Sequence, residues 1–308
     1  MSELIANRSE LLFLYDVKDI NPNGDPLDEN KPRIDEETMK NLVSDVRLKR
    51  TVRDYLHDFK NLEIFIRSVR DDKGTLKDKE QRMKELKITN SDELLNSCID
   101  IRLFGATTAI KEKTITLTGP VQFRIGRSFH RVKIAYMKGT TVMPSDKSSK
   151  QGTFTEQYVL PYSLIGFYGI INENAAKTTK LTTDDVSLLM DALWNGTKNL
   201  ISRSKVGQMP RLLLKITYKE ENYHIGDLNA MITLAKDNTD LSDEEIRDVS
   251  EYSLDISSLI SAFIANKQKI ESVDYCVDPR LRFSKDTKEI PLADALKTVG
   301  CTVQQVTF

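Results

Sequence analysis

Leu11-Leu12-Phe13-Leu14-Tyr15-Asp16-Val17 reads as a continuous apolar run too short for a helix, and predicts a central strand buried on both faces. The polar stretch Asn21-Pro22-Asn23-Gly24-Asp25-Pro26 that follows must be a loop, because the prolines fix φ and Gly24 admits φ > 0. Beyond it the hydrophobic positions conflict. At about 100° per residue, Met39, Leu42, Val43 and Val46 share one helical face, whereas Leu48, Val52, Tyr55, Leu56 and Phe59 lie opposite. One amphipathic helix cannot bury both, so the spacing predicts a break near Ser44, a favoured N-cap. A helix starting there buries Leu48, Val52, Tyr55, Leu56 and Phe59 and turns Arg50 and Arg53 outward, flanked by Arg47 and Lys49.

Further along, Asn61 to Arg70 reads as a second strand. The charged segment Asp71 to Ser97, with helical stretches at Lys77–Leu86 and Ser91–Cys98, reads as an inserted helical lobe that Ile99 to Ala106 closes. Thr114 to Thr118 alternates with period two and predicts a strand. Val121 to Ile134 alternates apolar with basic residues, and Tyr136 to Gly152 carries the glycine, proline and serine of a hairpin tip. Return strands are predicted at Thr153–Tyr158 and Tyr162–Ile171, the second with Gly166 and Gly169 admitting close approach. A helix is predicted over Asp184–Ser202 with Thr183 as N-cap, and a buried strand over Leu212–Tyr218. The remainder mixes short strands (Tyr223–Ile225, Val273–Val277, Cys301–Thr307) with a helix around Leu254–Lys267. This order is a βαββαβ, ferredoxin-like pattern of the α+β class with an insertion and a long hairpin.

Composition narrows the function. The 308 residues are 39% hydrophobic and 30% charged with mean hydropathy −0.40, which predicts a globular protein. No apolar run approaches the roughly 18 residues of a membrane span, and the N-terminus lacks the pattern of a secretory signal. Cys98, Cys276 and Cys301 form no CxxC pair, and His57, His130 and His224 are scattered. The expectation is a cytoplasmic protein with no metal site and no cofactor. A net charge of −1 argues against nucleic acid until its distribution is considered. Lys113, Arg124, Arg127, Arg131, Lys133, Lys138, Lys147 and Lys150 are opposed only by Asp146 between 113 and 151, whereas 237–255 holds eight acids against Arg247 alone.

The candidate chemistry is therefore phosphate binding. The helix beginning at Ser44 offers four cations beside a polar loop. In the hairpin, Arg124, Arg127 and Arg131 are interleaved with Phe129, His130, Tyr136, Met137 and Met143, cations to follow a backbone and side chains to stack on or wedge between bases. Arg203 and Lys205 stand in a polar loop suited to phosphates or to a helix C-terminus. Phe104-Gly105-Ala106 reads first as core packing. No GxxxxGK[ST], HExxH or GxSxG occurs. Asp16, Asp19 and Asp25 cluster after the first strand and offer an alternative, a metal-dependent ribonuclease, although clustered loop aspartates more often form turns.

At the loop and helix the chain resembles the repeated RNA-binding backbone subunit of type I CRISPR surveillance complexes (Cascade), of the repeat-associated mysterious protein class, with the type I-B branch nearest. The matching pieces are Asn21-Pro22-Asn23-Gly24-Asp25; Leu42-Val43-Ser44-Asp45-Val46-Arg47-Leu48-Lys49-Arg50-x-x-Arg53; Arg102-Leu103-Phe104-Gly105; Thr118-Gly119-Pro120-Val121-Gln122-Phe123; and Gly152-Thr153-Phe154-x-x-x-Tyr158-x-x-Pro161-Tyr162. The resemblance implies an RRM-like palm (1–59, 113–123 and 158–308), a helical fingers insertion (60–112) and a β-hairpin thumb (124–157). It implies polymerisation along CRISPR RNA, each thumb kinking out every sixth nucleotide. Its partners would be CRISPR RNA, target DNA through the RNA duplex, head-to-tail copies of itself, the 5′-handle-binding subunit, the small and large subunits and the repeat-processing endonuclease. Ser44 and Lys49 match phosphate-holding positions beside Asn21 and Asn23; Arg50 and Arg53 join them or support the next subunit. Phe104 and Gly105 fall in a matching motif, Met137 or Met143 would be the wedge, and Arg47 stands where relatives carry a non-basic residue. Type III relatives cleave RNA with a loop aspartate; type I subunits do not, so Asp25 is read as a turn residue and the chain as non-catalytic.

Overall fold

A computed structural model describes residues 3–110, 113–140, 154–237 and 239–308. The central strand Ser9–Ile20 is flanked on both sides by antiparallel partners, Met209–Tyr218 and Phe154–Ile171. Together they form the middle of a ten-stranded mixed sheet. From one edge the order is Thr302–Gln305, Ile270–Val277, Met209–Tyr218, Ser9–Ile20, Phe154–Ile171, Gly126–Ser128, Lys40–Val43, Ile34–Asp35. Val121–Phe123 and Ala135–Thr140 also pair with the long Phe154–Ile171 strand.

The apolar run of the central strand explains its place. Leu11, Phe13, Tyr15 and Val17 enter one core with Leu48, Val52 and Leu56 of the helix Asp45–Asp58 and Val186, Leu189 and Met190 of the helix Thr183–Asp191. Leu12 and Leu14 face a second core built with the C-terminal region, including Leu254, Leu259, Ile260 and Phe263. A strand covered on both faces has no use for alternation. A third, smaller core joins Phe65, Met83, Ile88, Leu94, Leu95 and Ile101 in the helical insertion, whose helices span Lys79–Glu85, Ser91–Ser97 and Ile99–Phe104.

Several predicted elements are corrected. Asn61–Arg70 is not a strand: the Phe65 and Ile66 amides donate to the buried Asp100 carboxylate at 2.8 and 3.1 Å, so this segment needs no ladder. Tyr223–Ile225 is likewise irregular, and the Ile225 and Gly226 amides donate to buried Glu10. The two return strands are one, Phe154–Ile171, whose register steps from Tyr162–Lys18 to Leu160–Ile20 and passes over Pro161, which has no N–H to give. The helix predicted over 184–202 runs Thr183–Asp191 with Thr182 as its cap, then widens into a π-helical turn, Ala192–Gly196. Gly196 lies against Tyr55, where a Cβ would come within 2.9 Å of the tyrosine Cβ.

Candidate nucleic-acid interface

The break at Ser44 is present. Ser44 has an extended backbone (φ −67°, ψ 148°), and its Oγ accepts from the Arg47 amide at 3.2 Å, opening the helix Asp45–Asp58. The polar loop is bound to that cap: Asn23 Oδ1 accepts from both the Ser44 amide (2.9 Å) and its hydroxyl (3.0 Å). A third segment closes on the same place. The Asn21 amide donates to the Ser204 carbonyl at 3.3 Å, and Lys205 Nζ donates to the Asn21 carbonyl. Asn21 is buried, donates its Nδ2 to the Asn30 carbonyl, and keeps its Oδ1 without a partner. Loop, helix N-terminus and the Ser202–Gly207 loop thus converge at one point. A cleft of about 180 Å³ runs from it past Arg203 to Tyr158 and Glu156 on the long strand.

The cations of the basic helix are not equivalent, and the expectation that all face outward is corrected. Arg53 is only 11% exposed; its Nε donates to buried Asp100 at 2.9 Å, and its guanidinium lies 5.0 Å over the Phe104 ring. Lys49 is 12% exposed, shared between Asp45 and Gln122 Oε1 at 3.0 Å each and 5.7 Å from the same ring. Arg50, more open, pairs with Asp54 at 2.7 Å. Arg47 and Lys205 differ: neither forms a close ion pair among the described residues, Arg47 bonding Thr51 Oγ1 with Asp54 attracting it at longer range, and Lys205 bonding only a carbonyl. Burial, with Arg47 nearby, pulls the Lys205 amine down to about 8, and burial also lowers Arg47. Two half-buried, mutually repelling cations at a helix N-terminus form a place where an anion relieves strain on both. Arg203 lies exposed beside them, also without an ion pair among the described residues.

Phe104 and Gly105 serve the scaffold. Phe104 is 8% exposed beneath the two cations. Gly105 has φ +69°, and a Cβ there would stand 2.0 Å from the Leu117 carbonyl oxygen. A Cβ on Gly119 would equally meet the Phe104 carbonyl carbon at 2.0 Å. The two glycine motifs are one backbone-on-backbone contact.

The structure does not bring Arg124, Arg127, His130 or Arg131 to this point, whereas Met137 pairs with Gln157 at the far end of the cleft. Arg124 pairs with Asp227 and lies 4.9 Å over the Tyr168 ring; Arg131 pairs with Glu244 at 3.0 Å; both sit on the face of the C-terminal core, opposite the basic helix. Arg127 pairs with Asp35 at 2.7 Å. His130 is corrected as a base-stacking candidate. It is 2% exposed, its Nε2 accepts from the Leu164 amide, its Nδ1 faces the Arg131 and Asp243 carbonyls, and burial lowers its pKa. Met137 is 48% exposed on the strand Ala135–Thr140, and Met143 lies outside the described residues. Of the aspartates, Asp16 is buried against Arg211 (2.7 Å) and the Tyr162 hydroxyl, Asp19 is exposed, and Asp25 accepts the Leu27 amide and pairs with Arg33. Among the described residues no three His, Cys, Asp or Glu side chains are grouped for a metal.

Sequence reasoning missed the neutralising partners, although two were legible: Asp45 to Lys49 and Arg50 to Asp54 are i,i+4 pairs on one helix. Asp100 carries no such signal, because its partner is 47 residues away.

A family model described as "CRISPR-associated protein Cas7" matches residues 7–257. A protein of that name from Haloferax volcanii is 31% identical, over 89% of this chain and 88% of its own length. Among solved structures, a chain of a CRISPR RNA-guided surveillance complex in a pre-nicking state superposes with a TM-score of 0.57 at 10% identity, covering 97% of this chain and 96% of its own. A chain of another CRISPR RNA-guided surveillance complex gives 0.52 at 13%, with 95% and 98% covered. These structural likenesses extend to the fold. From the family match and the Haloferax relative, the chain belongs to the Cas7 family of CRISPR-associated proteins.

Proposed function

We propose that this chain is a non-catalytic backbone subunit of a type I surveillance complex, of the I-B branch, that holds CRISPR RNA by its phosphates and leaves the bases free for target DNA. The observation that carries the reading is the convergence of Arg47, Lys205 and the Ser44-capped helix N-terminus at one place, where neither cation has a close ion-pair partner among the described residues. Phosphate contacts position a strand without reading its sequence, which suits a subunit that serves any spacer. The strand order Met209–Tyr218, Ser9–Ile20, Phe154–Ile171, Val121–Phe123, with two helices packed on one face, supports an RRM-like palm. The helical core around Phe65 and Leu94 supports a separate fingers lobe, and Ala135–Thr140 with its return strand a thumb carrying Met137 toward the bases. In this reading copies pack head to tail along the RNA and meet the 5′-handle-binding, small and large subunits and the repeat-processing endonuclease in the cytoplasm.

Within the proposed phosphate site, burial and pairing support a different order of ligands. Arg47 and Lys205 lead, Arg203 and Ser44 follow, and Lys49 and Arg53 act through the Phe104 platform. The test is a titration of labelled single-stranded RNA at several salt concentrations. Arg47→Ala and Lys205→Ala should each weaken binding to all sequences alike and lower the salt slope by about 0.7. Arg53→Met should leave the slope unchanged. Slopes that ignore Arg47 and Lys205 would remove the site. Incubation with Mg²⁺ should leave the RNA intact; cleavage abolished by Asp25→Ala would restore the ribonuclease alternative.

A further inference from the structure

The cleft that leads away from the proposed phosphate site carries acids on its wall. Its lining joins Asn21, Asn30, Tyr158 and Arg203 with two carboxylates, Glu29 and Glu156. Glu156 takes the Tyr136 hydroxyl and lies opposite Lys138 in the strand register. Glu29 is held differently. Its backbone is left-handed, with φ 47°, and its Oε2 accepts the Tyr158 hydroxyl at 2.8 Å, with Lys31 Nζ 3.4 Å away. Lys31 itself is turned mainly to Asp28, at 2.7 Å. Glu29 Oε1 takes no hydrogen bond among the described residues, and the side chain is 65% exposed. The Tyr158 bond, with Lys31 behind it, holds the carboxyl below its ordinary range, so Glu29 is ionised at neutral pH.

Asn21 ties this acid to the phosphate site. Its carbonyl takes Lys205, and its Nδ2 gives to the carbonyl of Asn30, the residue after Glu29. A strand laid from Lys205 along the cleft therefore passes an ionised carboxylate. Such a group only accepts hydrogen bonds, and it repels phosphate. What it can meet on a nucleotide is a donor: a base N–H or the 2′-hydroxyl. Base donors change with sequence, whereas the 2′-hydroxyl stands on every ribonucleotide and on no deoxyribonucleotide.

We propose that Glu29 Oε1 accepts the 2′-hydroxyl of a nucleotide whose phosphate is held by Arg203, so that this acid selects ribonucleic over deoxyribonucleic strands. The inference rests on the RNA-binding reading and adds a sugar contact to it, because phosphate contacts alone do not tell RNA from DNA.

The experiment titrates the full chain with labelled single strands of one sequence, made as RNA, as DNA and as 2′-O-methyl RNA. The wild type should prefer RNA to both others by about tenfold, the worth of one hydrogen bond to a charged group. Glu29→Ala should weaken RNA roughly tenfold and leave DNA unchanged or tighter, because a negative charge leaves the path of a polyanion. Tightening of both strands would make Glu29 a repellent only, and equal weakening of both a support for its loop; either result overturns the proposal. Uridine-rich and adenosine-rich strands should give the same RNA-to-DNA ratio, and a ratio that follows the bases would assign the acid to base edges instead. Wild-type protein that binds RNA and DNA alike, with the Arg47 and Lys205 salt slopes intact, overturns this proposal alone. Protein that binds no RNA overturns the RNA-binding reading with it.

Discussion

Lys205 shows how a residue's surroundings alter its meaning. In the sequence it is one basic residue in a serine-rich loop; in the fold it is half-buried, tethered to a carbonyl and facing another cation. Because its folded-state pKa is pulled down to about 8 from an ordinary 10.5, charging it costs the folded state. That penalty is full below about pH 8 and relieved by about 10.5, so this residue's contribution to stability rises with pH across the window. RNA affinity should run the other way. A phosphate favours the ammonium form, so affinity should fall as pH climbs through about 8, and Lys205→Arg should flatten the profile. Fluorescence anisotropy across that range checks it, and a wild-type curve as flat as that of the arginine variant would count against the contact. Asp100 makes the complementary point. It is wholly buried and joins Arg53 to the Phe65 and Ile66 amides. Asp100→Ala should cost about 3–5 kcal/mol in a denaturant titration, because it strands a buried guanidinium.

At the scale of elements, the sequence was most informative where periodicity and capping coincide. The two-faced central strand and the phase break at Ser44 were both legible, because each is written in the positions of apolar side chains within a few residues. Ser44→Ala should lower stability by about 1 kcal/mol through the lost cap, the backbone amide at that position still donating to Asn23 Oδ1, as chemical denaturation would report. The predictions failed where carboxylates stand in for strands. Asn61–Arg70 and Tyr223–Ile225 have strand-like composition, yet their amides are satisfied by Asp100 and Glu10, and nothing local announces a partner so far along the chain. Gly105 belongs to this scale too. With φ +69° and a Cβ position 2.0 Å from a carbonyl oxygen, Gly105→Ala should cost more than about 2 kcal/mol and yield little soluble protein.

For the whole molecule, the basic segment 113–151 and the acidic segment 237–255 leave the chain dipolar in sequence. The structure joins much of that charge within one copy. Asp237 pairs with Arg282, Asp243 with Lys236, Glu244 with Arg131 and Asp248 with Lys18. Glu244→Lys should therefore loosen the 241–246 segment, seen as faster proteolysis there, while leaving assembly on RNA intact. Filaments that vanish in electron micrographs of this variant would place the acid at a contact between copies. Long-range pairings of this kind are set by the fold and are beyond what linear charge counting can resolve.

The strand Phe154–Ile171 is one unbroken element that pairs with the hairpin at one end and with the central strand at the other. Eighteen residues at about 3.3 Å each give a rod of about 60 Å. A pull on the hairpin along this rod meets the central sheet's ladder in shear, so many hydrogen bonds must fail together rather than unzip in turn. The Ala135–Thr140 pairing is thus anchored like a beam built into a wall, and tension on it passes straight to the centre of the sheet.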